Sequence, residues 1–320
     1  MFGVSDLKSA IKVKENSVEC PVRDCKTIVP RQRRALQCSK KDFLCPEHGI
    51  YISPSTFEYS TYAANLLWTD EKDRDLLKRI VRVKRESRIA HDNSEDALTW
   101  NVFRFLEKEN LLSDYLSMLS KNEERNLEVM YWSYSQSELT TWSELVQARQ
   151  EFERNPNKGS EPDIIIKSDK TLFVIEAKLN ASNKIVPSSE DPLVKEKYVN
   201  GGCGWYQNVF KSDFETVAIS DRKYELLRFW LLGSWIAQNQ RLRFILVNLV
   251  PAEREKDIET QFKKHIKEDT NRTFLRSAWE DIYRLIQEID NWKKHLMLDY
   301  FRNKTVGYGR EGNLQRAFSV

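Results

Sequence analysis

The residues best suited to chemistry lie in Ser160 to Leu179, which reads S-E-P-D-I-I-I-K-S-D-K-T-L-F-V-I-E-A-K-L. Asp163 stands ahead of the β-branched run Ile164 to Ile166. Glu176 and Lys178 close a second apolar run, Thr171 to Ile175. Alternate residues of a strand leave the same face, so Glu176 and Lys178 point the same way. Two carboxylates can hold a hard divalent cation, and a lysine beside them can orient a water or meet a phosphate. A second group lies near the N-terminus: C-P-V-R-D-C from Cys20 to Cys25, then Cys38, then C-P-E-H from Cys45 to His48. That spacing fits tetrahedral Zn²⁺ held by Cys20, Cys25, Cys45 and His48, with Cys38 as a competing fourth ligand. No open position or nearby general base is evident, so the zinc is expected to be structural.

The elements that must position these residues are partly legible. Polar Lys167 to Lys170 joins the two apolar runs as a turn, giving a hairpin. Asn93 or Ser94 caps a helix that starts at Ser94-Glu95-Asp96 and runs to about Glu109. Leu98, Val102 and Leu106 form its apolar stripe, and Glu95 lies on that stripe. An inward carboxylate is either buried at cost or put to use, and the plainer alternative is a helix-start Glu serving the dipole. Tyr224 to Gln238 reads as an apolar helix. Arg243 to Val250 reads as a central buried strand, ended by Pro251. Residues 61–91 read as helical, 110–158 as polar and mostly helical, and 252–300 as two amphipathic helices. The last 20 residues contain three glycines and read as loosely ordered. Gly201-Gly202-Cys203-Gly204 is no phosphate loop, because no Gly-Lys-Ser/Thr follows. Tyr206 and Gln207, just after it, are accessory candidates, with core or surface roles as the plainer reading.

Composition sets bounds on function. The 320 residues are 40% hydrophobic and 31% charged, with a net charge of +3. So small an excess makes no general electrostatic attraction for nucleic acid, and such a surface must come from local clustering. Lys26, Arg31, Arg33, Arg34, Lys40 and Lys41 form one cluster without an acidic residue between them. It is either a phosphate-contacting surface or a solvated basic loop. The start of the chain shows no signal peptide, and the apolar region from Leu226 to Val250 is cut by Gln238, Asn239, Gln240, Arg241 and Arg243. No membrane span and a cytoplasmic location are therefore expected. Clustered cysteines without an export signal argue for metal rather than disulfides.

Pro162-Asp163, a gap of twelve residues and then Glu176-Ala177-Lys178, in this order of elements, resembles the PD-(D/E)XK nuclease superfamily over roughly residues 93–250. The resemblance implies an α/β fold with a restriction-endonuclease-like core, a mixed central sheet flanked by helices. A zinc-binding module at 1–60, a linker helix at 61–92, a core at 93–252 and a helical C-terminal extension at 253–320 are the expected divisions. The resemblance also implies roles. Asp163 and Glu176 would bind catalytic Mg²⁺ (or Mn²⁺), with the Ala177 carbonyl as a third ligand. Lys178 would orient the attacking water, and Glu95 would complete the acidic cluster. The implied activity is a metal-dependent endonuclease acting on DNA in prokaryotic restriction or defence, two copies pairing to cut both strands. The alternatives are a zinc-containing nucleic-acid-binding protein with an inactive core, or a repair or RNA nuclease. No helicase motif or P-loop is present, so coupling to ATP would need a partner protein.

Overall fold

Short strands and turns carry the first part of the chain in the computed structural model, which describes residues 6–32, 40–84, 88–156, 161–187 and 192–320. β1 (Ser17–Glu19) pairs antiparallel with β2 (Ile28–Pro30), and β3 (Tyr51–Ile52) with β4 (Phe57–Glu58). α1 (Glu71–Val83) follows, then α2 (Glu95–Lys108). Ser94 caps α2, its hydroxyl accepting from Ala97 N–H at 3.1 Å. α2 buries nearly every residue from Ala97 to Leu106. It therefore has no narrow inward stripe, and Glu95 is half-buried. Among the described residues, the helix expected over 61–91 is α1, with a 3-10 turn at Tyr62–Asn65 ahead of it.

The next elements are α3 (Leu112–Ser120), β5 (Glu128–Tyr131), β6 (Tyr134–Ser135), β7 (Thr140–Thr141) and α4 (Ser143–Phe152). β8 (Ile164–Lys167), β9 (Thr171–Ala177), α5 (Pro192–Val209), α6 (Tyr224–Gln240), β10 (Arg243–Val250), α7 (Ile258–Lys263) and β11 (Arg272–Ala278) complete this part. One seven-stranded sheet forms in the order β11-β10-β9-β8-β5-β6-β7. β9, β10 and β11 run parallel, and the remaining pairings are antiparallel. The expected hairpin is β8–β9, and the expected central strand is β10. The mostly helical reading of 110–158 is corrected, since β5, β6 and β7 extend the sheet there. The reading of 252–300 as two helices is corrected as well. β11 is an edge strand in that stretch, with α7 before it and α8 (Trp279–Glu288) and α9 (Lys294–Asn303) after it. The chain end is not loose: β12 (Thr305–Tyr308) and β13 (Leu314–Arg316) pair as a hairpin.

The chain makes two compact units. The first takes in Met1–Arg74, Ser87–Glu109 and Trp279–Val320, and the second Asp75–Glu86 and Asn110–Ala278. The second is a mixed α/β unit with helices against its sheet. Ile165, Leu172, Val174, Phe244, Leu246 and Phe274 face one way and pack with α4, α5 and α6 into a single apolar core. On the opposite face the Tyr115 hydroxyl of α3 meets the Ser277 hydroxyl of β11 at 3.2 Å. α5 is interrupted at Gly201–Gly204, where three successive residues take positive φ. A Cβ at Gly201 would lie 2.4 Å from the Glu151 carbonyl oxygen, so this glycine run serves close packing against α4. Among the described residues no helix is long and apolar enough to cross a membrane.

Candidate metal-binding sites

The core-facing side of the sheet changes character at the carboxyl ends of β9, β10 and β11. In register, Glu176 lies beside Asn248, and Asn248 beside Arg276. Asp163 is one residue ahead of the Ile164–Ile175 pair, which puts it opposite Glu176. Four polar residues on four neighbouring strand ends thus cap one apolar face. Carboxyl ends of parallel strands are the usual place for ligands in such sheets.

Asp163 is fixed on both sides. Its Oδ2 accepts from Ala177 N–H at 2.9 Å, and its Oδ1 accepts from Trp132 Nε1 at 3.2 Å. The Ala177 carbonyl lies on the same strand edge as its N–H, toward Asp163. The Trp132 backbone N–H donates to the Asp163 carbonyl at 3.0 Å. Trp132 and Ser133 form the tight turn between β5 and β6 with φ of 46° and 71°. That turn favours Asn-Gly, so bulky Trp there is strained and places its indole at Asp163.

Glu176 is 3% exposed and Lys178 7%. Lys178 Nζ donates to Glu176 Oε1, and to Glu225 Oε2 of α6 at 2.9 Å. Glu176 Oε2 is buried without a hydrogen-bond partner among the described residues. Burial raises the Glu176 carboxyl well above the usual range. The Glu225 and Asp163 charges raise it further, against the opposing pull of Lys178. An orphaned, buried carboxylate oxygen beside two other carboxylates has the donor chemistry of a divalent-cation site. Asp163, Glu176 and the Ala177 carbonyl are the groups that would hold such an ion, although both Asp163 oxygens and Glu176 Oε1 already accept hydrogen bonds.

The structure brings Asp163, Glu176, Ala177 and Lys178 together. Glu95 belongs to the other compact unit. Tyr206 is a core residue, stacked on Phe210 at 4.3 Å with its hydroxyl donating to the Ser212 carbonyl at 3.0 Å. Gln207 is exposed, and its carbonyl accepts from Lys267 Nζ at 2.7 Å. Sequence reasoning missed Glu225, whose place in the first turn of α6 reads as a dipole contact. It also missed Trp132. Asn248 left a signal, as a polar residue inside the apolar run R-F-I-L-V-N-L-V.

In the first unit, Cys20, Cys25, Cys45 and His48 converge, with their ligand atoms all within 4.8 Å of one another. Cys25 and Cys45 Sγ are 3.9 Å apart, and His48 Nδ1 is 3.7 Å from both Cys20 and Cys45 Sγ. Zinc bonds of about 2.3 Å to sulfur in a tetrahedron give edges of about 3.8 Å. This Cys₃His cluster could hold a metal such as zinc. Gly49, at φ 65°, turns the chain so that its N–H reaches the Cys45 carbonyl at 2.7 Å. Burial holds the Cys20 thiol well above its ordinary range, and the Cys45 and Cys25 sulfurs add to this. A bound cation would reverse that preference.

Cys38, Arg33 and Arg34 lie outside the described residues. Arg31 Nε donates to the Pro54 carbonyl at 3.0 Å and its guanidinium sits 5.3 Å from the Tyr308 ring centroid. Lys40 pairs with Glu58 and lies over Tyr51 at 4.9 Å. Lys41 is exposed. Arg31 and Lys40 are thus engaged within the protein. No protein-family model, curated protein or solved structure matches the chain.

Proposed function

We propose that this protein is a metal-dependent nuclease that hydrolyses phosphodiester bonds in DNA. The observation that carries the reading is the buried, unpartnered Glu176 oxygen beside Asp163 and Lys178 at a strand end. The spacing of Pro162-Asp163 and Glu176-Ala177-Lys178 supports it, as does a mixed sheet of the kind a restriction-endonuclease-like fold requires. Mg²⁺ or Mn²⁺ bound by Asp163, Glu176 and the Ala177 carbonyl would supply a hydroxide nucleophile and neutralise charge on the phosphate. Lys178 holds an ammonium at the same place. Glu225 gives that ammonium a second carboxylate, so Lys178 keeps an anchor when Glu176 is engaged elsewhere. Trp132 and Ala177 N–H orient Asp163 from both sides. The Cys₃His cluster is read as structural zinc, since four protein ligands leave no open position.

The Lys178–Glu176 ion pair is the one feature that favours the second reading, an inert core in a nucleic-acid-binding protein. Incubation of supercoiled plasmid with Mg²⁺ or Mn²⁺ separates the two. Nicking by the wild type is expected, with losses of about 10²-fold or more in Asp163→Ala and Lys178→Ala. A wild type that cuts no DNA, or variants that cut as well, would defeat the nuclease reading.

A further inference from the structure

A cavity of about 430 Å³ is formed by the loops that follow β9 and β10 and by the start of α6. Four basic and three acidic side chains line it, a net charge of +1. Most of these groups already have partners. Arg254 donates to the Asn180 carbonyl and side-chain oxygen, both at 2.7 Å. Lys256 pairs with Glu253 at 2.7 Å. Glu255 accepts from Asn183 N–H at 2.8 Å and from Asn248 Nδ2 at 3.0 Å.

Lys223 is different. It is 3% exposed and lines this cavity, and its ammonium has no hydrogen bond or ion pair among the described residues. The residue is buried, yet its ammonium is not among the fully enclosed polar atoms: it opens into the cavity, where an anion would meet an unpaired cation. Burial lowers its pKa. Lys184 and Lys264 act in the same direction, and Glu255 and Asp221 oppose them. Lys223 also sits at the N-cap of α6, a seventeen-residue helix whose positive end favours an anion.

The cavity is tied to the carboxylate row at two points. Glu255 binds Asn248, which is in register with Glu176. Lys223 is two residues ahead of Glu225, the partner of Lys178. We propose that the Lys223 cavity binds a backbone phosphate of the DNA strand next to the one presented to Asp163, Glu176 and Lys178. Lys223 is then a positioning residue, with Lys184 as its helper at the rim. The proposal rests on the nuclease reading above.

The test is fluorescence anisotropy of a labelled single-stranded DNA oligonucleotide, with Ca²⁺ in place of Mg²⁺, across a range of salt. Lys223→Met is expected to weaken binding about tenfold and to lower the log–log salt slope by about 0.7, the share of one phosphate contact on a single strand. Lys184→Gln, an exposed change, is expected to do the same to a smaller degree. Lys223→Arg should restore the slope, which a purely structural role would not require. The Lys223→Met effect should persist in an Asp163→Ala background. An unchanged salt slope in both Lys223→Met and Lys184→Gln overturns the proposal. Cleavage by Lys223→Met with wild-type KM overturns it too and leaves the nuclease reading standing. Lys223-dependent binding by a wild type that never cuts would do the reverse.

Discussion

At the scale of single residues, the site is built from groups held in costly states. Glu176 is buried with one oxygen unpaired, and Trp132 and Ser133 adopt left-handed backbone to bring an indole to Asp163. The Ser133 hydroxyl is itself buried without a partner. Ser133→Gly should therefore stabilise the fold by about 0.5–1 kcal/mol, since relief of left-handed strain exceeds the added entropy of the unfolded chain. Urea denaturation measures it, and a loss of stability would show that the turn is not strained. His265 tests a second cost. Its ring bridges Ser212 Oγ at 2.9 Å and Asp221 Oδ2 at 2.8 Å. Burial lowers its pKa, the Asp221 hydrogen bond opposes this, and Lys264 adds to the lowering. The unfolded chain then binds the proton more readily than the native one. The stabilisation is complete above the ordinary value of about 6.5 and is lost as pH falls through the depressed native value. Wild type should lose more Tm than His265→Gln between pH 7.5 and pH 5. Equal losses would contradict the assignment.

At the scale of elements, α6 and β10 set the distance between core and site. Gly233 of α6 lies so close to Phe244 of β10 that a Cβ would fall 2.3 Å from the ring. Helix propensity alone makes Gly233→Ala stabilising by about 1 kcal/mol. Overpacking costs about 1–3 kcal/mol and should win, leaving the variant less stable by denaturant titration. A more stable variant would show that the ring can move at little cost. The same elements show what was legible. β9, α6 and β10 carry long apolar runs whose period and length fix their type, and β8, though only four residues, opens with three consecutive β-branched isoleucines. β5, β6 and β7 are short, and Trp132-Ser133 gives no Asn-Gly signal for their turn. In β11, R-T-F-L-R-S-A, arginines dilute the apolar pattern, because Arg276 is spent on the carbonyls of Pro251, Ala252 and Arg254. Asp163, Glu176 and Lys178 were readable from local spacing. Glu225 was not, because its contact with Lys178 spans 47 positions of chain.

At the scale of the whole molecule, two compact units each carry a candidate metal site of different chemistry, thiolate and imidazole in one, carboxylate in the other. Their metals should separate accordingly. Purified protein should contain about one zinc per chain, lost in Cys20→Ser and Cys45→Ser, with faster proteolysis within the first unit. Full zinc in both variants would rule out that cluster. The central claim concerns the other site, that Asp163 and Glu176 hold a divalent cation. It is tested most directly by calorimetric titration of Mn²⁺ into the zinc-loaded protein at pH 6 and pH 8. Because the Glu176 carboxyl is raised by burial, a proton competes with the metal at the lower pH. One site should be seen, several-fold tighter at pH 8, with proton release at pH 6 and binding lost in Asp163→Ala and Glu176→Gln. Absence of binding, or binding that neither pH nor these substitutions alter, would contradict the account.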